Sequence, residues 1–191
     1  MSFWFKPDAI NNGDLCALAI GTNIDSHRQN IYLGNDNKVR AQSRDGSTNV
    51  SAATSSSFVA GSWQHAAGVW SATNARAAFL NGGGKGTETS TVNPAGLNAI
   101  AIGRFPSLSP GGYWDGELAE MAMWNVALTD AEVLQLSKGF SPSFIRPSKL
   151  VFYAPLIKNE DIDLRGRLKF TMVGTPTVVR HPRIIYPKGS L

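Results

Sequence analysis

Two carboxylates, Glu117 and Glu120, stand three positions apart beside and within the predicted strand 118–124. Glycoside hydrolysis needs two carboxyl groups that face the same cleft. Because side chains alternate between the two faces of a strand, these two carboxylates are predicted to point to opposite faces. The spacing therefore argues against a glycosidase pair, and we expect no catalytic residues and no enzyme activity.

The histidines and the cysteine show no metal-ligand spacing. His27 and His181 are isolated in the sequence, and neither combines with Cys16 into a zinc motif. His65 lies in a predicted strand, where we expect a packed, hydrogen-bonded core histidine rather than a catalytic base. A single cysteine also excludes an internal disulfide framework.

Tyr113 and Trp114 follow the turn-forming residues Pro110-Gly111-Gly112. They are candidates for an exposed platform on which a sugar ring stacks. The alternative is that an aromatic side chain enters the core from a loop, as large apolar side chains commonly do.

Short strands must position these residues. Apolar runs separated by turn residues predict strands at 3–5, 15–20, 31–33, 39–43, 63–70, 75–80, 99–103, 118–124 and 150–155, with 168–173 as a weaker candidate. Residues 21–29 are predicted to be a polar loop, 47–57 an edge strand or a loop, and 81–86 a hairpin loop rather than a phosphate-binding loop. One helix is predicted from Thr129, which forms a capping box with Glu132, to Gly139.

The C-terminal part of the chain differs in charge from the rest. Residues 1–137 carry 8 Lys and Arg against 11 Asp and Glu, whereas residues 138–191 carry 10 against 3. Its prolines favour an extended path. We predict an arm that docks on the open edge of its own sandwich or on another subunit, through side chains that are cationic or apolar: Arg180, Arg183, Ile184, Ile185 and Tyr186. The alternative is a solvated charged face.

Length and composition fit one domain with an arm. The 191 residues are 42% hydrophobic and 17% charged and include 19 glycines, which is typical of a turn-rich all-β protein. No run of 18 apolar residues predicts a membrane span, and the first residues lack the pattern of a signal peptide. We expect neither a membrane nor a nucleic acid as a partner.

Several segments, read in order, resemble the LamG-like family of concanavalin A-type jelly rolls. They are Phe-Trp-Phe-Lys-Pro at 3–7, Trp-Gln-His-Ala-Ala-Gly-Val-Trp at 63–70, Phe-Leu-Asn-Gly at 79–82, Ile-Gly-Arg at 102–104, and the strand and helix start at 116–132. The resemblance implies an all-β, jelly-roll β-sandwich of two antiparallel sheets. The capping box adds one short helix near 130–137, and the charge and prolines of the C-terminal part add an extended arm, which the resemblance does not explain. We therefore divide the chain into an N-terminally shortened sandwich, 1–140, and a completing strand plus basic arm, 141–191.

The resemblance implies two further expectations. Relatives bind calcium through loop oxygens, and Asp25, Asp36 and Asp45 are candidate donors, although no EF-hand-like loop is present. Calcium is therefore possible, with its ligands unassigned, and no other cofactor is expected. The chain begins almost on a strand that other strands precede in the family, so we expect the arm after Leu150 or another subunit to cover that strand.

Three functions are compatible with these patterns. The main hypothesis is a non-enzymatic virion structural protein, a phage capsid decoration or a tail- or fibre-associated protein, which docks through its arm on other virion proteins or on copies of itself. The alternative is a carbohydrate-binding adhesin that acts outside the cell or at its surface, with glycans as partners. A glycoside hydrolase is the remote alternative, because the spacing of Glu117 and Glu120 argues against a catalytic pair. The three functions are kept side by side, since a fold alone does not define a function.

Overall fold

The computed structural model describes residues 1–10, 13–22, 26–107, 111–158, 162–166 and 168–188. Its strands are β1 (Ser2–Pro7), β2 (Leu15–Gly21), β3 (His27–Leu33), β4 (Val39–Asp45), β5 (Thr48–Ala53), β6 (Gln64–Ala72), β7 (Ala75–Leu80), β8 (Gly83–Glu88), β9 (Ala99–Ile102), β10 (Gly116–Trp124) and β11 (Leu150–Ala154). The helix α1 spans Asp130–Ser137, and a short 3₁₀ helix spans Pro142–Phe144.

The strands form two antiparallel sheets that pack face to face. The six-stranded sheet has the order β11-β10-β1-β6-β7-β8, and the five-stranded sheet has the order β5-β4-β3-β2-β9. The core between them includes Phe3, Phe5, Leu18, Ile31 and Met121, whose side chains are fully buried. Burying each of these side chains stabilises the fold by about 1.5–3 kcal/mol. The predicted all-β sandwich of two antiparallel sheets is confirmed.

The two long edges of the sandwich differ. Between β5 and β8, the Ser55 amide donates to the Gly84 carbonyl over 2.9 Å. The Ala53 carbonyl approaches Gly86 so closely that a Cβ atom at residue 86 would collide with it. On the opposite side, β9 and β11 end their respective sheets and no strand pairing joins them in the described part of the chain. The sandwich is therefore closed along one edge and open along the other.

The pairing of strand β1 contradicts the expectation that the arm or another subunit covers it. The strand pairs with β6 on one side and with β10 on the other, with Phe3 opposite Ala66 and Phe5 opposite Leu118. The arm after Leu150 was expected to cover this strand, but β11 pairs with β10 instead. The first strand is thus central to its sheet, and neither the arm nor a second subunit is needed to satisfy its backbone.

The segment predicted as a glycine-rich hairpin loop is also different in the structure. Asn81 and Gly82 alone form the turn, with φ of 53° and 73°, and Leu80 pairs with Gly83. Positive φ at both turn residues matches the twist of a two-residue hairpin. Residues from Gly83 onward form β8, although glycine has a low strand propensity.

Strand pairing decides three other segments that the sequence left open or predicted differently. Residues 48–53 form β5, an edge strand, and β3 begins at His27, inside the segment predicted to be a polar loop. The described residues of 168–173 are not a strand; Lys169 forms only an isolated bridge with Ile162.

Helix α1 is encoded locally and confirms the prediction. The Thr129 side chain accepts from the Glu132 amide, and the Glu132 carboxylate accepts from the Thr129 amide. Val133 and Leu136 are buried against Phe79 on the outer face of the six-stranded sheet. In the described ranges, no helix has the length and apolar character that a membrane span requires.

Candidate binding cleft at the open edge of the sandwich

The open edge of the sandwich forms a cleft of about 860 Å³. Its inner wall comes from β9, from the start of β10 and from β11, and its outer wall comes from residues 168–179 of the C-terminal arm. The volume lies within the range of about 300–1,000 Å³ that is typical of small-molecule sites. We call this feature the edge cleft.

The two aromatic residues predicted as a sugar-stacking platform both line the edge cleft but have different roles. Trp114 packs against Phe5 with its ring at 88° and 6.1 Å between centroids, so it enters the core. Its Nε1 is buried and has no hydrogen-bond partner. Tyr113 is 57% exposed and contributes to the lining of the cleft. The structure thus favours core packing for Trp114 and leaves Tyr113 as the accessible ring.

The arm supplies a wall with mixed chemistry. The lining residues on this wall include the threonines Thr171, Thr175 and Thr177 and the valines Val178 and Val179. A saccharide has a similar division, with hydroxyl groups at its edge and C–H groups on its ring faces. A wall of this kind can donate and accept hydrogen bonds while excluding water from the ring.

Charged side chains enter the edge cleft from both walls. Arg104 follows β9, whereas Lys158 and Lys169 come from the chain after β11. Glu117 is the one carboxylate among the lining residues that the structure describes. Lys6 Nζ donates to both oxygens of Glu117, at 3.0 and 3.1 Å. The described lining therefore combines a carboxylate paired with Lys6 and three cationic residues.

The prediction that Glu117 and Glu120 point to opposite faces is wrong. Leu118 and Met121 both pack against the core although they are three residues apart, and the register of β10 against β1 shifts between them. Glu120 sits at this bulge with φ of 57°. The extra residue turns Glu120 to the outer face of the sheet, the face that carries Glu117 and Lys6. A bulge re-aims a side chain in this way.

Glu120 is nevertheless not available to a substrate. It is 1% exposed, and its two oxygens accept hydrogen bonds from the phenols of Tyr153, at 2.8 Å, and Tyr186, at 2.7 Å. Burial and the adjacent carboxylate raise the pKa of Tyr153, so its proton stays on the phenol. His181 Nε2 lies 3.4 Å from the same carboxylate. Glu120 thus fastens the arm to the sandwich, and we call these four residues the arm clasp.

His65 is a core residue, as the sequence predicts. It is 1% exposed, its Nε2 lies 3.3 Å from Ser2 Oγ, and its ring contacts Trp4 edge-on. Burial lowers the pKa of His65 to about 3. The imidazole is therefore neutral. It does not line the edge cleft and is too buried to contact a ligand.

The candidate calcium donors do not converge on one site. Asp36 pairs with Arg40 at 2.6 Å, and Asp45 lies 3.1 Å from His27. Asp25 lies outside the described residues. In the described part of the chain, no group of three His, Cys, Asp or Glu residues is placed to hold a metal ion. Cys16 is a free, buried thiol.

The residues predicted to dock the arm lie against the chain's own sandwich. The Ile185 amide donates to the Gly139 carbonyl over 2.8 Å, and the Ser141 amide donates to the Ile185 carbonyl over 3.0 Å. Tyr186 belongs to the arm clasp, as described above. Ile184 is half-buried, while Arg180 and Arg183 are exposed. Whether the arm also attaches to another molecule stays a prediction.

Sequence reasoning missed the clasp and the charged lining of the cleft. Arg104 was noted only as the end of the Ile-Gly-Arg segment, and Lys169 only as part of a weak strand. Gly103 has φ of 73°, and this turn brings Arg104 to the cleft. The available sequence signal was the glycine that precedes Arg104 at the end of a strand. That signal indicates a turn, but it does not predict a cleft.

Solved structures share this fold. Domain 4 of the GH43 extracellular arabinanase AbnA from Geobacillus stearothermophilus, in complex with arabinotriose, is 22% identical, with a TM-score of 0.55 over 71% of this chain and 64% of that one. The CBM40 of the Ruminococcus gnavus IT-sialidase, bound to α2,3 sialyllactose, is 14% identical, with a TM-score of 0.50 over 71% and 80%. The SAP-like pentraxin of Limulus polyphemus is 19% identical, with a TM-score of 0.50 over 71% and 67%.

At these identities the solved structures show a common fold and no more. No curated protein matches the sequence. A family model does match, over residues 1–134, which span β1 to the middle of α1 and therefore both sheets except β11. The chain belongs to the concanavalin A-like lectin/glucanases superfamily.

Proposed function

We propose that this chain is a non-catalytic carbohydrate-binding module whose ligand lies in the edge cleft. The observation that carries the proposal is the exposed Tyr113 ring beside a cleft lined by threonine hydroxyls and charged groups. An aromatic ring offers an apolar face for the C–H groups of a sugar, while the polar lining fixes the orientation of its hydroxyl groups.

The absence of a usable acid and nucleophile pair supports a binding role over hydrolysis. In the described cleft lining, Glu117 is held by Lys6, and Glu120 is buried in the arm clasp. Retaining glycosidases need two carboxyl groups about 5–5.5 Å apart that both reach the substrate. Neither carboxylate is free to act as a general acid toward a sugar in the cleft.

The solved structures support the same proposal. The AbnA domain is in complex with arabinotriose, and the CBM40 is bound to sialyllactose. The carbohydrate-binding alternative from the sequence is therefore preferred here over the virion hypothesis, for which the comparisons offer no support. AbnA is described as extracellular, and we propose an extracellular or cell-surface site of action.

A glycan array followed by isothermal titration calorimetry tests the proposal. We expect the full chain to bind at least one oligosaccharide class, and Tyr113→Ala to lose at least about tenfold in affinity, since a central aromatic contact commonly contributes more than about 1.4 kcal/mol. Phe144→Ala is the matched control, because Phe144 is also exposed, at 45%, but lies outside the cleft lining. Absence of binding to every glycan, or equal losses in both variants, would refute the proposal.

A further inference from the structure

We infer that the edge cleft selects glycans that carry carboxylate or sulfate groups, an inference that rests on the proposed function. It starts from the charge of the cleft. Among the charged lining residues that the structure describes, Glu117 already has its charge balanced by Lys6, which contacts both carboxylate oxygens. The cations in the described lining are Arg104, Lys158 and Lys169, and the inference rests on Arg104 and Lys169.

The side chains of two of these cations have no partner in the described part of the chain. Arg104 forms no hydrogen bond or ion pair there, and Lys169 forms only its backbone bridge with Ile162; both residues line the cleft. By contrast, Lys85 is paired with Asp130, and Arg146 with Glu132. An arginine or lysine without an acidic neighbour leaves its donors to water or to an anionic ligand.

The two unpaired cations also lie on different walls. Arg104 belongs to the sandwich side, next to Gly103 and the end of β9, whereas Lys169 belongs to the arm. An anionic group inside the cleft is therefore attracted from both sides. The cleft lining also includes the apolar residues Leu118, Phe152 and Phe170. Their side chains lower the local dielectric constant, which strengthens this attraction relative to an exposed surface.

An acidic sugar satisfies all parts of this lining together. Its ring can lie against Tyr113, its hydroxyl groups can reach the threonines of the arm, and its carboxylate or sulfate can accept from Arg104 and Lys169. A neutral sugar leaves both cations without an anion. Binding energy from charge-assisted hydrogen bonds thus separates the two ligand classes.

Titration calorimetry on the full chain tests the inference with matched probes: oligogalacturonate and sulfated galactan oligomers against neutral galactan and xylan oligomers. We expect the acidic probes to bind at least about tenfold more tightly at low salt, and this preference to shrink at high salt. Arg104→Gln and Lys169→Gln should each weaken the acidic probes about tenfold and so reduce the preference for acidic over neutral probes. Lys149→Gln, an exposed lysine outside the cleft lining, is the control.

The outcomes separate this inference from the proposed function. Binding of neutral glycans that depends on Tyr113, without a preference for acidic ones, would overturn the charge selectivity and leave the proposed function standing. No binding of any glycan would overturn both. Equal losses in Lys149→Gln and Arg104→Gln, or equally tight binding of a short single-stranded DNA, would show a general attraction for polyanions and also overturn the inference.

Discussion

Replacing one hydroxyl group of the arm clasp should open the arm without unfolding the sandwich. In Tyr186→Phe, the Glu120 carboxylate loses one of its two phenol donors, a hydrogen bond of 2.7 Å. A hydrogen bond to a charged group contributes about 1.5–3 kcal/mol. The equilibrium constant for local opening of the arm should therefore rise about ten- to a hundredfold.

Native-state hydrogen exchange measures this opening at a single amide. The Ile185 amide donates to the Gly139 carbonyl, so its exchange reports the docked state of the arm. The Asn81 amide donates to the His65 carbonyl within the six-stranded sheet and serves as the internal reference. We expect the exchange of Ile185 to accelerate about ten- to a hundredfold while that of Asn81 stays constant.

Tyr113→Phe is the matched control for this experiment, because it removes the hydroxyl group of an exposed tyrosine that is not part of the arm clasp. If Tyr186→Phe leaves the protection of Ile185 unchanged, the clasp does not hold the arm. If both amides accelerate together, the arm is part of the global folding unit rather than a separately opening segment. Either result would refute the reasoning.

The remaining predictions concern the arm, the hairpin turn, the helix cap and the effect of a chelator. Burial lowers the pKa of His181, but its hydrogen bonds with Glu120 and with two carbonyl groups outweigh that effect and raise it above 6.5. The contribution of the imidazolium to arm docking is therefore complete below about pH 6.5 and is lost as the pH rises through the raised value. The protection factor of the Ile185 amide, which removes the intrinsic base catalysis of exchange, should fall at alkaline pH in the wild type but not in His181→Gln. Gly82→Ala should destabilise the fold by about 1–2 kcal/mol in urea denaturation, since Gly82 has φ of 73° and its added Cβ would meet Ser137; an unchanged midpoint would contradict this. Thr129→Ala should cost about 1 kcal/mol in the same assay through loss of the helix cap. Adding a chelator should not shift the melting temperature, and a fall of several degrees would reveal a bound metal.

The parts of the fold that local sequence encodes were predicted correctly. The capping box of Thr129 and Glu132 defines the start of α1 through hydrogen bonds between residues three apart. Short apolar runs separated by turn residues located most of the strands, because both signals are local properties of the sequence. The buried state of His65 was predicted from its position in such a strand.

The parts that depend on tertiary pairing were not predicted. Glu120 was assigned a face by simple alternation, but the bulge at this position arises from how β10 pairs with β1, and it reverses that assignment. Residues 81–86 were predicted to be a hairpin loop, whereas pairing with β7 makes the residues from Gly83 onward a strand, in which the Ala53 carbonyl leaves no room for a side chain at Gly86. The edge cleft depends on where the arm lies, which charge and proline content alone do not specify.

The arm clasp has a consequence for association between copies. In the described part of the chain, the end of the arm forms hydrogen bonds with Glu120, Gly139, Ser141 and Pro155 of the same molecule. A second molecule presents the same residues, so the same hydrogen bonds form equally well between chains as within one. Exchange of arms between two molecules is then a matter of protein concentration and of how often the clasp opens, and the exchanged dimer would have two clefts, each walled by the arm of the other chain.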